Sequence, residues 1–263
     1  MVLLRPRRPA DVSPGKAGPK ALPQTVVDCH RLDLSACDAD DLALLDDDER
    51  ARAGRFRFER DRIRYIAAHA QARRHLGARL GVAPAEVRFT ATRHGKPVLA
   101  PVGDVGSTSD GALCFNLTHS GAVGYLAVAT CNVGIDLELH RAIGDLQPLI
   151  DGYCSPAEIA ALGALPAASR CIAFLGAWTR KEAALKAWGT GIGAVPLDQL
   201  HVGLVPADRL ETNQPLPGLD HDGIRYPDLR LASIASGDEV LSVAAACAGS
   251  FIMRLPTDTP RGL

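Results

Sequence analysis

No charge of one sign dominates this chain. Lys and Arg number 29 against 30 Asp and Glu, a formal net charge of −1. That balance gives no electrostatic pull toward nucleic acid, and no nucleic-acid-binding motif interrupts it. Long apolar runs are also missing. Nothing approaches the ~20 apolar residues of a membrane span, and the run Val2 to Leu4 is too short for a signal-peptide core. There is no CxxC pair. The seven cysteines (Cys29, Cys37, Cys114, Cys131, Cys154, Cys171 and Cys247) are odd in number, a poor match to a zinc site or a disulfide framework. They read as reduced, mostly buried thiols, as suits a cytoplasmic protein. A GxxxxGK[ST] phosphate loop is absent, which weighs against the common nucleotide hydrolases.

What is present is an ordinary globular composition. Hydrophobic residues make up 47% and charged residues 22% of 263 positions, enough for a packed core in one large or two ordinary domains. Residues 1–23, rich in Pro and Gly, read as a disordered leader. Thr25 to Asp28 has the pattern of a strand. The acidic stretch from Asp38 to Glu49 begins a helix, where carboxylates suit the positive end of the dipole. A run of arginines follows, and Ile63, Ile66, Ala67 and Ala70 mark the apolar face of a long helix from about Asp61 to Leu80. Val87 and Phe89 alternate with polar residues as in a half-buried strand, broken by an exposed turn at Gly95-Lys96-Pro97. Residues 103–111 are loop-like. Cys114–Thr118 and Val123–Thr130 are strands, joined by a turn at His119-Ser120-Gly121.

The second half repeats this layout. Gly134–Leu139 is a strand. Ser155-Pro156-Ala157-Glu158 starts a helix, with serine as cap and glutamate three residues on. A long helix runs from Ser169 to Trp188, stopped by Gly189. The proline-rich stretch 205–228 reads as loop, and two strands end near Ala248. FNLTHSGAVGYLAVAT and LRLASIASGDEVLSVAAA share a strand, a turn and a strand, each preceded by a long helix. The fold expected is α/β (α+β): two similar halves, 24–130 and 131–250, related by pseudo-two-fold symmetry. Each carries a long helix on a small, mainly antiparallel sheet, and 251–263 forms a tail.

Four groups of residues carry candidate chemistry. Along the strand Gly134-Ile135-Asp136-Leu137-Glu138-Leu139, alternation puts Ile135, Leu137 and Leu139 into the core and the two acids side by side on the other face. Adjacent carboxylates need a positive partner, and Mg²⁺ takes oxygen ligands of this kind; a solvated acidic face on an edge strand is the plainer account. On the helix, Trp178, Glu182 and Lys186 follow one another at i, i+4 and i+8. They offer a third carboxylate and a cation, or simply a surface ion pair beside a core tryptophan. Thr118-His119-Ser120, at a strand end, suits an anion or an ordinary turn. Lys96 and Arg64 complete a set of cations that match phosphate.

Taken in order, G-K-P, F-N-L-T-H-S, G-I-D-L-E and W-T-R-K-E-A-A-L-K-x-x-G-x-G resemble the Sfp-type 4'-phosphopantetheinyl transferases, over roughly residues 45–200. The length is similar to the two-half form rather than to the smaller trimeric synthases. The resemblance implies that Asp136, Glu138 and Glu182 hold Mg²⁺ (or Mn²⁺) against the pyrophosphate of coenzyme A, the substrate. It implies that Lys186 meets that pyrophosphate, that His119 and Arg64 bind the 3'-phosphate, and that Lys96 lies along the nucleotide. Thr118 stands where the family has serine and keeps the hydroxyl. Glu158 matches a glutamate assigned as general base, a role that Glu182 or a water could also fill. The activity implied is transfer of phosphopantetheine to a serine of an acyl or peptidyl carrier protein, by a monomer with no nucleic-acid or membrane partner. Fatty-acid, polyketide, nonribosomal-peptide and siderophore pathways stay open. So do two other readings: a catalytically silent module that binds coenzyme A and a carrier, and another Mg²⁺-dependent nucleotide phosphotransferase.

Overall fold

The computed structural model describes residues 24–100, 107–108, 111–191, 193–204 and 210–256. The leader 1–23, most of the loop 103–111 and the end of the tail lie outside them. The first part of the chain forms β1 (Thr25–Asp33), α1 (Ala39–Leu44), α2 (Asp47–Ala53), α3 (Glu59–Leu80), β2 (Phe89–Ala91), β3 (Pro97–Leu99), β4 (Ser107–Thr108), β5 (Gly111–Ala112), β6 (Cys114–Ser120) and β7 (Val123–Ala129). The second forms β8 (Val133–Leu139), α4 (Gln147–Tyr153), α5 (Pro156–Gly163), α6 (Ala167–Trp188), β9 (Leu210–Leu216), β10 (Asp220–His221), β11 (Ile224–Arg225), β12 (Leu229–Ser236), β13 (Glu239–Ala245) and β14 (Phe251–Arg254).

Two four-stranded sheets, ordered β14-β1-β7-β6 and β8-β13-β12-β9, pack face to face. Val27, Tyr125 and Ala127 of the first sheet interlock with Ile135, Leu137 and Val243 of the second, which dries the space between them. Helix α3 covers the outer face of the first sheet through Ala68, Ala72 and Leu76. Helix α6 covers the second through Ala177, Ala184 and Ala187. Small alanines on α6, facing Gly134 of β8, let its backbone approach the second sheet closely.

The expected common layout is present in the connectivity. In the first part β1 leads through α3 to the hairpin β6–β7, with β7 pairing β1; in the second β8 leads through α6 to the hairpin β12–β13, with β13 pairing β8. Each long helix has 22 residues and ends on a left-handed glycine, Gly81 or Gly189. Each also carries a fully buried cation at its fifteenth position, Arg73 or Lys181. A short helix grips that cation with the glutamate of its own capping box: Glu49 holds Arg73 at 2.7 Å, and Glu158 holds Lys181 at 2.7 Å.

Several boundaries differ from the sequence expectation. The acidic stretch makes two short helices, because Asp38 and Asp46 each cap a separate start. His119 and Ser120 belong to strand β6, and the turn falls at Gly121 (φ 60°) and Ala122. Part of the proline-rich stretch is strand β9, which places Pro215 on a sheet edge where no ladder donor is lost. Phe251–Arg254, read as tail, is β14. It runs parallel to β1 and carries the end of the second half back onto the first sheet.

Candidate functional site

Strand β8 borders its sheet and pairs only with β13. Its outward-facing backbone groups are therefore satisfied without a further strand. The Ile135 N–H donates to Asn116 Oδ1 at 2.8 Å, and the Leu139 N–H donates to Ser120 Oγ at 3.3 Å. The Val133 carbonyl accepts from Lys96 Nζ at 2.9 Å, and the Ile135 carbonyl accepts from Lys186 Nζ at 3.2 Å. Side chains of β6 and two lysines thus close the edge. The same β6 hydroxyls reach the acids: Thr118 Oγ1 donates to Asp136 Oδ1 at 3.1 Å, and Ser120 Oγ donates to Glu138 Oε2 at 3.2 Å.

Gly134 fixes how near α6 comes. A Cβ there would lie 2.0 Å from the Ala183 carbonyl oxygen and 2.4 Å from the Ala187 nitrogen, both helix backbone. The helix rests directly on the strand at this point, which lowers Glu182 and Lys186 onto Asp136. Lys186 Nζ meets Asp136 Oδ1 at 2.5 Å and Thr118 Oγ1 at 3.3 Å. Gly134→Ala is expected to destabilise the fold by at least about 3 kcal/mol, because no flexible atom is available to move aside. A thermal unfolding midpoint equal to that of the parent chain would refute the close approach.

The acidic face is largely withdrawn from solvent, with Glu138 half-buried. Asp136 is 6% exposed and Glu182 8%. Burial pushes both carboxyls above the ordinary range; Lys186 opposes this at Asp136, and Asp136 adds to it at Glu182. Glu138 is raised by burial and then by Asp136. Asp136 Oδ2 and Glu182 Oε1 are buried with no hydrogen-bond partner. Among the described residues, no three His, Cys, Asp or Glu side chains stand close enough to form a ready-made metal cluster. The donors nevertheless fit a hard divalent cation: all are oxygen, their charges repel, and two buried oxygens lack partners.

A basic group lies alongside. The exposed ring of His119 has its pKa held below the usual value by desolvation, then by Lys186 and Arg64. Lys186 and Arg64 therefore lie within electrostatic reach of the imidazole. Arg64 is loosely paired with Asp61 at 3.7 Å. Lys96 departs from the exposed turn expected of it. It is half-buried, its ammonium rests on Val133, and burial lowers its pKa. Thr118 is 6% exposed and turned toward Asp136, so its hydroxyl positions the acid.

Glu158 requires a correction. It is fully buried, and its carboxylate accepts from Lys181, from the Ser155 and Val202 N–H groups at 2.8 Å each, and from the Gly203 N–H at 3.2 Å. Burial alone would raise its pKa; the Lys181 hydrogen bond and charge, with the backbone donors, outweigh that and hold it below the ordinary value. A base must reach the proton that it takes. Glu158 cannot, and it serves as an internal strut.

Within Trp178-Thr179-Arg180-Lys181-Glu182, only the glutamate belongs to the site. Trp178 packs edge-on to Tyr153 with ring centroids 5.1 Å apart. Thr179 bonds Ser242 at 2.8 Å, Arg180 bonds Ser233 at 2.9 Å, and Lys181 is the partner of Glu158. The structural roles of Thr179, Arg180 and Lys181 are invisible in helical spacing, since their partners come from distant strands. Asn116 and Ser120 did leave a signal: with Thr118 they form the polar set of a period-two strand.

These features coincide with the outcome of comparison with known proteins. Residues 132–240 match the profile of the 4'-phosphopantetheinyl transferase superfamily, and residues 39–131 match that of the 4'-phosphopantetheinyl transferase N-terminal region. The chain belongs to this superfamily. Similar proteins include the 4'-phosphopantetheinyl transferase HetI of Nostoc sp., 40% identical over 141 residues, which is 53% of this chain and 57% of HetI. A phosphopantetheinyl transferase of Thraustochytrium sp. is 33% identical over 106 residues, 40% of this chain and 35% of the relative. A Synechocystis sp. protein named for the same activity is 31% identical over 141 residues, 53% of this chain and 55% of the relative. The chain thus spans little more than half the length of HetI and of the Synechocystis relative, 57% and 55%.

Proposed function

We propose that this protein transfers the 4'-phosphopantetheine group of coenzyme A to a serine of an acyl or peptidyl carrier protein, releasing 3',5'-adenosine bisphosphate. The observation that carries the proposal is the pair of unpartnered buried oxygens, Asp136 Oδ2 and Glu182 Oε1, beside the ammonium of Lys186. A plain structural site would not leave acids so placed. Asp136, Glu138 and Glu182 are the residues to hold Mg²⁺ or Mn²⁺. When bound, such an ion neutralises pyrophosphate oxygens as negative charge gathers on the leaving group.

The remaining work falls to the protein's own side chains. Lys186 faces the pyrophosphate and meets charge on its bridging oxygen. Arg64 and His119 grip the 3'-phosphate, and Lys96 lines the nucleotide's path. With Glu158 sealed in the interior, Glu182 or a water that it orients is left to accept the proton of the attacking serine. Among the described residues no helix is long and apolar enough to cross a membrane. The protein acts in this reading as a cytoplasmic monomer.

The deciding experiment is intact-protein mass spectrometry of an apo carrier after incubation with this protein, coenzyme A and Mg²⁺. A gain of about 340 Da, the mass of the transferred group, that EDTA abolishes is the expected result of a metal-assisted transfer. Coenzyme A binding without any gain across several carriers would favour the silent module. His119→Ala is expected to raise the Kd for coenzyme A about tenfold, the loss of one charge-assisted hydrogen bond; calorimetry with an unchanged Kd would remove His119 from the site.

A further inference from the structure

Independently of the transferase reading, the register of the second sheet singles out two cysteines. The antiparallel ladder between β8 and β13 runs from Leu139↔Glu239 to Val133↔Ala245. It continues one step further, where the Ala246 N–H donates to the Asn132 carbonyl at 2.9 Å. Carried one residue further, just past the ends of the two strands, that register would set Cys131 opposite Cys247. Narrow and wide pairs alternate along such a ladder. Residues 132 and 246 exchange a hydrogen bond, so 131 and 247 fall on a non-hydrogen-bonded pair. The backbone of β8 agrees: Val133, Ile135 and Leu139, of the same parity as Cys131, turn their N–H and C=O groups away from β13.

Both side chains pack at the margin of the core between the sheets, as that parity requires, and both are half-buried rather than sealed. Opposed residues at a non-hydrogen-bonded pair have Cα atoms about 4.5 Å apart, inside the ~4.4–6.8 Å range of disulfides. The Cys131 thiol is pushed up to about 11 by burial first and then by Cys247 and Cys114, so the two opposed sulfurs lie within electrostatic reach. The place is also distinctive. Cys131 lies on the connection from the first half into β8, and Cys247 on the return to β14. Asn132 and Ala246 between them line a cavity of about 300 Å³, shared with His94 and Gly189.

We propose that Cys131 and Cys247 form a reversible cross-strand disulfide that clasps the two chain crossings between the halves. Glutathione disulfide serves as oxidant. The Cys247 thiolate attacks one sulfur of it, breaking its S–S bond and releasing one glutathione thiolate. The Cys131 thiolate then attacks Cys247 Sγ and releases the second glutathione. Two protein thiols give up two protons and two electrons, and one glutathione disulfide becomes two glutathiones. Burial raises both thiols, so linking accelerates as pH rises toward their pKa values.

The test uses the full chain, incubated with glutathione disulfide, alkylated, proteolysed and analysed by mass spectrometry. A peptide linking Cys131 to Cys247, about 2 Da lighter than its two reduced parts, is expected. Cys114→Ser should leave it intact, and Cys131→Ser or Cys247→Ser should abolish it. Oxidation should raise the unfolding midpoint by about 5–10 °C, and dithiothreitol should reverse the shift. Glutathione retained on Cys247 without a link, or a link that runs to Cys114 instead, would overturn the proposal.

Discussion

Asp136→Asn should lower kcat/KM for phosphopantetheine transfer by at least about a hundredfold and leave the protein folded. The reasoning is geometric. An asparagine oxygen can still accept from Thr118 and Lys186 as Asp136 Oδ1 does. The shape of the buried site is preserved, and the stability change should stay within about 1 kcal/mol. What disappears is the negative charge against which a divalent cation would be held. Glu182→Gln should behave alike, since its Oε1 is also buried and unpartnered. Steady-state rates over a Mg²⁺ titration, read beside thermal unfolding, check both variants. Wild-type turnover in either would sink the assignment, and a collapse of the unfolding midpoint would make that acid a structural one.

The largest expected effect on stability belongs to Glu158. Removing one partner of a fully buried ion pair leaves the other charged and unmatched, which costs about 3–5 kcal/mol. Glu158→Ala should therefore unfold far more readily in urea, while a Glu158→Leu, Lys181→Met double variant should recover much of the loss. Because the folded pKa of Glu158 is depressed, its contribution is present above the unfolded glutamate value of about 4.3 and is lost as pH falls through the folded value. The acid limb of the stability profile should flatten in the double variant. Full stability with lost turnover in Glu158→Gln would restore Glu158 as a base.

Much of the scaffold was legible because it is written in local periods. Ile135 and Leu137 alternate with Asp136 and Glu138, and the strand follows; Gly189 marks the end of the long helix, and the helix stops there. The acids were legible as a set but not in their setting. That Asp136 is buried depends on α6 lying against Gly134, and that Thr118 serves Asp136 depends on β6 meeting β8 edge to edge. Neither contact leaves a trace in nearby sequence. Glu158 shows the converse hazard. Its position in a capping box was evident, but the box says nothing of Lys181, which arrives from another helix and turns a free carboxylate into a strut. Strand β14 was missed for the same reason, since a short segment takes its strand character from the sheet it joins, here through β1.

The shared layout of the halves has a consequence for stoichiometry. Counting back from each hairpin, Asp33 opposes Val123 as Leu139 opposes Glu239, so His30 in β1 holds the place that Asp136 holds in β8. Arg74, one residue beyond the buried Arg73, likewise holds the place of Glu182 beyond Lys181, and it is tied to Asp41 at 2.6 Å. The scaffold is written twice, but the acids are written once. Where the second copy gathers carboxylates, the first presents the His30 ring, whose pKa burial lowers, and the Arg74 guanidinium already paired with Asp41. One chain should thus saturate with a single metal ion, because the twin position lacks the carboxylates that would hold a second.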